Sequence, residues 1–261
     1  MLKLIQIYIQ KLLYKINSFL IALTFLSIFP APQNFLPEWN EKNLRYFCIM
    51  IPVTGFFFAP CWLSCFYALG LAVKISVTLR GFLMTFLTLS LTGGLHMDGL
   101  MDTCDAIFSR RDRETRLKIL SDTHAGSFAV MGCTLALMAK TFLFAEIFSH
   151  GIKINFFIPV YSRLGMAVIL NNIKFAKSGG LAFITGAARK KSGNIFFLFL
   201  FFILSFADNS IIIPAIFIFS LIIWIKICLK IFGGITGDLL GAFLEISEIL
   251  FLTGTVIENC I

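Results

Sequence analysis

The sequence predicts an all-α protein, a polytopic integral membrane bundle of about six or seven transmembrane helices. Hydrophobic residues make up 58% of its 261 residues and charged residues only 14%, and the mean hydropathy is +0.90. A water-soluble globule of this length needs more polar residues to cover its surface. Long apolar stretches alternate with short polar ones, and only the stretch 96–126 is both long and hydrophilic. We therefore predict one membrane-embedded domain over residues 1–261.

The net charge of +8 has a membrane explanation. In a membrane chain, Lys and Arg mark cytoplasmic loops, so we assign no nucleic-acid partner. The seven cysteines are mostly within apolar segments and form no C-x-x-C pair. This pattern favours small buried hydrophobic residues over a zinc site or a disulfide framework.

The N-terminal segment 1–18 carries Lys3, Lys11 and Lys15 among apolar residues, which predicts an amphipathic anchor on the anionic cytoplasmic surface. The next apolar stretch, 19–29, is too short to span a bilayer and stops before a proline. We interpret it as a re-entrant or interfacial segment.

The remaining apolar stretches are candidate spans, and charge predicts their orientation. The loop 174–194 carries several Lys and Arg residues and no acid, which places it in the cytoplasm. Counting spans from that loop puts 96–126 and 233–238 on the same side. Lys74 and Arg80 would then lie outside, against the rule. The candidate spans are 46–71, 81–95, 127–148, 156–172, 195–207, 211–229 and 239–257.

The hydrophilic stretch concentrates carboxylates in helical register. Asp98, Asp102 and Asp105 stand at i, i+4 and i+7, so a helix would place them on one face. Like charges at that separation repel unless a cation neutralises them. An all-oxygen cluster favours Mg²⁺ or Mn²⁺, and Mg²⁺ is held by one or two carboxylates with waters and substrate phosphates. The stripe therefore predicts a metal-phosphate site in preference to a solvated helical face.

A second group of acids lies near the C-terminus. Asp238, Glu245 and Glu248 fall near one face of a helix that is otherwise apolar. Carboxylates at membrane depth are expensive and indicate function, with the same metal or basic residues as partners. Gly237 and Gly241 would allow a phosphate to approach the start of this helix. The same two glycines also form a G-x-x-x-G pair that suits helix packing.

Basic residues and histidines offer further candidates. Arg110 begins a basic run. This run either binds a diphosphate or marks a cytoplasmic loop, and the sequence favours neither interpretation over the other. Arg163 lies within a candidate span, so it must find a carboxylate or phosphate, and Lys140 is a weaker case. His96 is a candidate base or a structural residue, and a helix would turn it away from the aspartate stripe.

These motifs resemble the cobalamin synthase family, also called adenosylcobinamide-GDP ribazoletransferase. The pattern H-x-D-G-L-x-D-x-x-D is similar to the family's first signature, and it begins at His96. The pattern G-G-x-T-G-D-x-x-G-A-x-x-E-x-x-E at 233–248 is similar to its last. Asp122, Ser162 and Arg163 match elements between them. The chain departs from the family at Ala106, where a glycine is expected, at His124, which replaces an arginine, and at Ala129, which also replaces a glycine.

The resemblance implies a transferase in the last steps of cobalamin biosynthesis. It would join adenosylcobinamide-GDP to alpha-ribazole, or to its 5'-phosphate, and release GMP. The implied location is the bacterial inner membrane, with the site facing the cytoplasm. The implied partners are these two small molecules and the lipid bilayer, while a homo-oligomer or an assembly with other pathway enzymes stays open.

The residue roles follow from this resemblance together with the acidic patterns. Asp98, Asp102 and Asp105 are expected to hold Mg²⁺ on the diphosphate. The expected catalytic residues are Asp98, Asp102, Asp105, Glu245 and Glu248. The expected substrate-binding residues are His96, Arg110, Asp122, Arg163, Gly237 and Asp238.

Two alternatives remain at the level of sequence. A CDP-alcohol phosphotransferase has a motif whose first half is imitated by Asp102, Asp105 and Arg110, but Ile119 stands where its next glycine belongs. A transporter could use Arg163, Lys140 and the C-terminal acids as a substrate or proton path. The transporter hypothesis predicts functional residues near the bilayer midplane.

Overall fold

The computed structural model describes residues 2–29, 37–72, 74–177, 191–208 and 210–260. Within these ranges the chain forms α-helices and no β-strand, which confirms the all-α class. The predicted loop at 30–36 and most of the basic loop 174–194 lie outside the described residues. The helices are α1 (Leu2–Leu26), α2 (Glu41–Leu44), α3 (Phe47–Leu71), α4 (Val77–Thr92), α5 (Leu95–Phe108), α6 (Arg113–Ile119), α7 (Ser127–Ser149), α8 (Ile158–Asn172), α9 (Lys191–Ala207), α10 (Ile212–Ile227, continued by a π-helical turn Cys228–Phe232) and α11 (Gly237–Cys260).

Five helices in the described ranges are long and apolar enough to cross a membrane, which fits the predicted polytopic bundle. Three further helices are shorter. α4, with 16 residues, and α8, with 15, are about 24 Å long or less, against a hydrocarbon core of about 30 Å. α9 has 17 residues. The five candidate spans are Tyr8–Leu26, Phe47–Leu71, Ser127–Ser149, Ile212–Phe232 and Gly237–Asn259.

The predicted division of the N-terminus at Ser18 is wrong, because α1 runs without interruption to Leu26. Neither glycine nor proline occurs within it to break the helix. Its second half is buried at Ile21 and Leu26 and packs on α3, which places the helix end inside the bundle. The Ser18 hydroxyl donates a hydrogen bond to the backbone carbonyl of Asn43. Residues 19–26 are therefore the second half of a longer helix and not a separate re-entrant piece, and residues 27–29 follow the end of that helix.

α11 is the central helix of the bundle and packs against α5, α7, α8 and α10. Small residues allow these helices to approach closely, as is typical of helix packing in membranes. A Cβ atom built at Gly99 of α5 would lie 2.7 Å from the carbonyl oxygen of Asp238 in α11. A Cβ atom built at Gly165 of α8 would lie 2.5 Å from the Phe243 ring. The two helices that carry the acidic motifs are therefore in direct backbone contact.

A short parallel backbone pairing joins the segment after α8 to the segment before α11. The Ala176 amide donates to the Ile235 carbonyl at 2.9 Å, and the Ile235 amide donates to the Lys174 carbonyl at 2.9 Å. Gly234 permits this contact, because a Cβ there would lie 2.5 Å from the Lys174 carbonyl oxygen. The pairing fixes both segments beside the first turn of α11.

Candidate active site

The aspartate stripe lies on a helix, as the spacing predicts. Two glycines with positive φ, Gly93 at 62° and Gly94 at 76°, end α4 and turn the chain into α5. On α5 the Asp98 side chain is exposed, while the Asp102 side chain is half-buried. One face of α5 therefore presents carboxylates at the end of the bundle, and its opposite face is buried.

The third carboxylate of this group comes from the other motif. Asp238 occupies the first turn of α11 and is brought to α5 by the close contact at Gly99. Burial raises the pKa of Asp102 to about 6, and the nearby charges of Asp98 and Asp238 raise it further in the same direction. We call Asp98, Asp102 and Asp238 the acidic cluster.

Asp105 has different surroundings from the other two aspartates of its helix. Its Oδ2 accepts a hydrogen bond from the Gly126 amide at 2.6 Å, and its Oδ1 accepts one from the Ala129 amide at 2.9 Å. Gly126 is the N-cap residue of α7 and supplies no side-chain cap of its own. The Asp105 carboxylate thus caps α7 from a neighbouring helix, a role that the sequence analysis did not predict.

The donor chemistry of the acidic cluster suits magnesium. In the part of the chain that the structure describes, no three His, Cys, Asp or Glu side chains form a ready-made metal site. Mg²⁺ does not require one, since it is commonly held by one or two carboxylates with waters and substrate phosphates. The acidic cluster supplies three carboxylates whose negative charges repel each other, and this repulsion contributes to the raised pKa of Asp102. Such carboxylates match the oxygen ligands that Mg²⁺ requires. The binding of Mg²⁺ by Asp98, Asp102 and Asp105 stays a prediction.

The other two predicted catalytic acids lie in a buried ion network. The Lys140 ammonium donates to Glu245 Oε2 at 2.6 Å and to Glu248 Oε2 at 2.8 Å. The Arg163 Nη1 donates to Glu248 Oε1 at 3.1 Å, and its guanidinium lies 4.2 Å from the centre of the Phe58 ring. The predicted carboxylate partner of Arg163 is thereby confirmed as Glu248. Both glutamates are buried and paired, and their catalytic role stays a prediction.

His96 lies on the buried face of α5, as the helical register predicts. Its side chain is 4% exposed, and Nε2 has no hydrogen-bond partner among the described residues. Burial and the positive charge of Arg163 lower the pKa of His96 to about 3, so the ring is neutral at physiological pH. Gly241 allows α11 to lie against this residue, since a Cβ there would be 3.1 Å from the His96 Cα.

A cavity of about 250 Å³ opens between α5 and α11 beside His96. We call it the α5–α11 cavity. It brings together four of the predicted site residues, which come from both acidic motifs. Its lining consists of Phe25, Leu95, His96, Asp98, Met166, Gly237, Asp238 and Gly241.

The predicted contacts at Arg110 and Asp122 lie at the exposed edge of the site. Arg110 has a φ of 54°, in the left-handed region, where the chain turns from α5 toward α6. Asp122 Oδ1 lies 2.8 Å from His124 Nδ1, and this hydrogen bond lowers the pKa of Asp122. His124, the residue that departs from the family pattern, thus contacts an acid of the motif.

Two basic residues near the acidic cluster are not among the expected site residues, although Arg113 belongs to the basic run that begins at Arg110. The Lys177 ammonium donates to the Leu117 carbonyl and, at 2.6 Å, to the Ser121 hydroxyl, and its charge acts on Asp238. The Arg113 guanidinium lies against the backbone of Gly233. Each was one of many basic residues in a polar loop, and no pattern in the sequence distinguished them.

The site combines carboxylates with positively charged side chains. The acidic cluster supplies oxygen donors, while Arg113 and Lys177 supply positive charge beside it. Paired cations and carboxylates of this kind are typical of sites that neutralise phosphoryl oxygens during transfer.

Comparison with known proteins identifies the family. The model of the cobalamin-5-phosphate synthase family matches residues 18–256. An adenosylcobinamide-GDP ribazoletransferase of Halalkalibacterium halodurans is 31% identical over 252 residues, covering 92% of this chain and 94% of the relative. One of Lachnoclostridium phytofermentans is 30% identical over 254 residues, covering 94% and 95%. No solved structure matches the chain significantly. Because the family match extends over most of its length, this chain belongs to the cobalamin-5-phosphate synthase family.

Proposed function

We propose that this protein joins adenosylcobinamide-GDP to alpha-ribazole, or to its 5'-phosphate, in the assembly of the cobalamin nucleotide loop. A ribose hydroxyl oxygen attacks the phosphorus that bears the corrinoid. The bond from that phosphorus to the GMP oxygen breaks, and the hydroxyl proton passes to a base or to solvent. The products are adenosylcobalamin, or its 5'-phosphate, and GMP. Within the family, the observation that supports this reaction is the meeting of Asp98 and Asp102 with Asp238 at one end of the bundle.

Magnesium is the proposed cofactor of the acidic cluster. Asp98, Asp102 and Asp238 are the carboxylates that we expect to hold it, and Asp105 keeps its two hydrogen bonds to α7. When bound, Mg²⁺ neutralises negative charge on the diphosphate. Asp102 is half-buried and therefore less hydrated than an exposed carboxylate. Less hydration is lost when it binds an ion, which favours ion binding.

The basic residues of the site are proposed to bind the diphosphate. Arg113 and Lys177 lie on the side of the acidic cluster where α6 and the segment after α8 meet. Arg110 is exposed and near the end of α5, within reach of a nucleotide held there. The planar Arg guanidinium can donate paired hydrogen bonds to phosphate oxygens, and the Lys ammonium contributes a compact positive charge. The abundance of such residues supports a cytoplasmic orientation of the site in the inner membrane.

The transporter alternative uses Lys140, Arg163 and the C-terminal acids as a substrate or proton path. In the structure these residues are paired with each other, because Lys140 and Arg163 both contact buried glutamates. Each of these charges has a buried partner of opposite sign, so removal of one partner would leave an uncompensated buried charge. Family membership also favours transfer chemistry over transport.

The test is GMP release by the purified protein in detergent, supplied with adenosylcobinamide-GDP and alpha-ribazole. We expect release with Mg²⁺ and none after chelation. Asp102→Asn should lower the rate by at least about 100-fold, since it removes a charge that meets the metal. Glu146→Gln is the matched control, because Glu146 is an exposed acid at the far end of α7. Release that persists without metal and in Asp102→Asn would contradict the proposal.

A further inference from the structure

A second cavity lies at the end of the bundle opposite the acidic cluster. It has a volume of about 430 Å³ and is formed by the segment after α7, the end of α9 and the end of α11. The acidic cluster lies near the start of α7, which Asp105 caps. Because α7 has 23 residues and is about 35 Å long, the two sites lie at opposite faces of the membrane. We call this second site the distal cavity.

Charged side chains of both signs line the distal cavity without pairing. Lys153 comes from the segment after α7, Asp208 follows α9, and Glu258 lies in the last turn of α11. In the part of the chain that the structure describes, none of these three residues forms an ion pair. A simple cation would be repelled by the lysine, and a simple anion by the two acids. The lining therefore matches a ligand that carries a positive and a negative group.

The two acids provide the place for the positive group. Asn155 Nδ2 donates to Asp208 Oδ1 at 2.6 Å, and Asn155 Oδ1 accepts from the Phe157 amide at 2.8 Å, so the position of Asp208 is fixed. Burial raises the pKa of Asp208 to about 6, and the negative charge of Glu258 acts in the same direction. An ammonium group bound at Glu258 would offset this repulsion between the two carboxylates.

Exposed apolar side chains beside the distal cavity indicate that the ligand is a lipid. Phe206 precedes the lining residue Ala207, and Ile211 follows the lining residue Ser210. Phe206 is 90% exposed and Ile211 is 86% exposed, and no large apolar side chain in the described ranges is more exposed. In a membrane bundle such surfaces contact acyl chains. The cavity thus opens where hydrocarbon meets water, which is the level of phospholipid headgroups.

We propose that the distal cavity binds the headgroup of a phosphatidylethanolamine molecule, with the ammonium group at Glu258, the phosphate at Lys153 and the acyl chains along Phe206 and Ile211. A cavity of about 150 Å³ holds benzene, so about 430 Å³ accommodates the phosphoethanolamine group together with water. A choline headgroup has no N–H to donate, and a glycerol headgroup has no positive charge. This site is independent of the transfer reaction proposed for the opposite face.

The experiment measures the affinity of short-chain phospholipids for the delipidated protein in detergent by native mass spectrometry. Dihexanoyl phosphatidylethanolamine should bind at least about tenfold more tightly than phosphatidylglycerol or phosphatidylcholine with the same chains. The reason is that only the ethanolamine group donates charged hydrogen bonds to Glu258. Equal affinity of wild type for the three lipids would overturn the proposal.

Two variants test the two ends of the headgroup separately. Glu258→Gln should remove the preference for phosphatidylethanolamine, whereas Lys153→Gln should weaken all three lipids by a similar factor, because all three carry the phosphate. Glu146→Gln and Lys74→Gln are the matched controls, since both residues are exposed and outside the cavity. A cooperative melting transition in lipid-free detergent shows that each variant is folded. A preference that persists in Glu258→Gln would contradict the assignment.

Free phosphoethanolamine distinguishes a lipid from a soluble zwitterion. It should compete with dihexanoyl phosphatidylethanolamine only at concentrations at least about tenfold higher, because it lacks the chains that pack on Phe206 and Ile211. Ile211→Ser should weaken the lipid and leave the affinity for the free compound unchanged. A free compound as potent as the lipid would refute the lipid as the ligand.

Discussion

Asp102 and Asp105 lie three residues apart on α5, and their carboxylates meet different groups. Asp105 accepts hydrogen bonds from two backbone amides at the start of α7, whereas Asp102 faces the other acids. Asp105→Asn keeps one acceptor oxygen and replaces the other with a donor. We expect it to lower the free energy of unfolding by about 1–2 kcal/mol. The measurement is the apparent melting temperature in detergent, with the exposed Asp98→Asn as the control. Equal melting temperatures for wild type and Asp105→Asn would argue against the capping role.

The raised pKa of Asp102 predicts that both the stability of the protein and its affinity for Mg²⁺ depend on pH. The folded pKa of about 6 lies above the unfolded value of 3.8, so the folded state binds more protons between these values, and stability falls as pH rises through that window. Asp102→Asn should therefore raise the apparent melting temperature at pH 7.5 without metal, but not at pH 4. Protons also compete with the ion for the carboxylate, so the affinity for Mg²⁺ should fall as pH drops below about 6. Affinity that is flat from pH 5 to 8 would contradict this assignment.

At the scale of the element, α5 and α11 work as a pair because no side chain separates them at Gly99. Gly99→Ala would place a Cβ 2.7 Å from the Asp238 carbonyl oxygen, so the helices must shift apart and Asp238 must move away from Asp98. We expect a loss of GMP release of at least about tenfold, although alanine is the better helix former. Gly70→Ala is the matched control, since a Cβ at that position of α3 meets nothing within 4 Å. Equal activity of the two variants would show that the close approach is not required.

At the scale of the whole molecule, the buried ion network ties three helices together. Lys140 of α7 and Arg163 of α8 both bind acids of α11, and the four charges balance. Lys140→Met leaves Glu245 buried without its cation, which should lower stability by about 3 kcal/mol and the apparent melting temperature by about 10 °C. The double variant with Glu245→Gln retains the balanced pair of Arg163 and Glu248. It should recover much of that loss, and simple additivity of the two changes would contradict the coupling.

The positively charged loops predict that the acidic cluster faces the cytoplasm, and the length of α7 allows a test of this orientation. α7 has 23 residues, about 35 Å, so its two ends lie on opposite sides of a bilayer. Thr123→Cys, before α7, should react with a membrane-impermeant maleimide only after spheroplasts are permeabilised. His150→Cys, after α7, should react in intact spheroplasts, and the unmodified chain gives the background from its own cysteines. The reverse pattern would place the cluster outside the cytoplasm.

Local patterns in the sequence determined the class of the protein and the position of its acids. Hydropathy predicted a membrane bundle, and the structure confirms it. The i, i+4, i+7 spacing placed Asp98, Asp102 and Asp105 on one helix, and α5 confirms this. Such features depend on residues a few positions apart, so a single sequence contains them.

Only the tertiary structure decided which of these acids meet. Asp238 of α11 lies near Asp98 and Asp102 because Gly99 of α5 has no side chain to separate the two helices. Asp105 turns to the amides of α7, and Glu245 and Glu248 turn to Lys140. Each partner lies on another helix, and helical spacing describes only side chains on the same helix. The sequence by itself determined the family and the charged groups, whereas the packing of α5, α7, α8 and α11 decided which groups form the site and which support it.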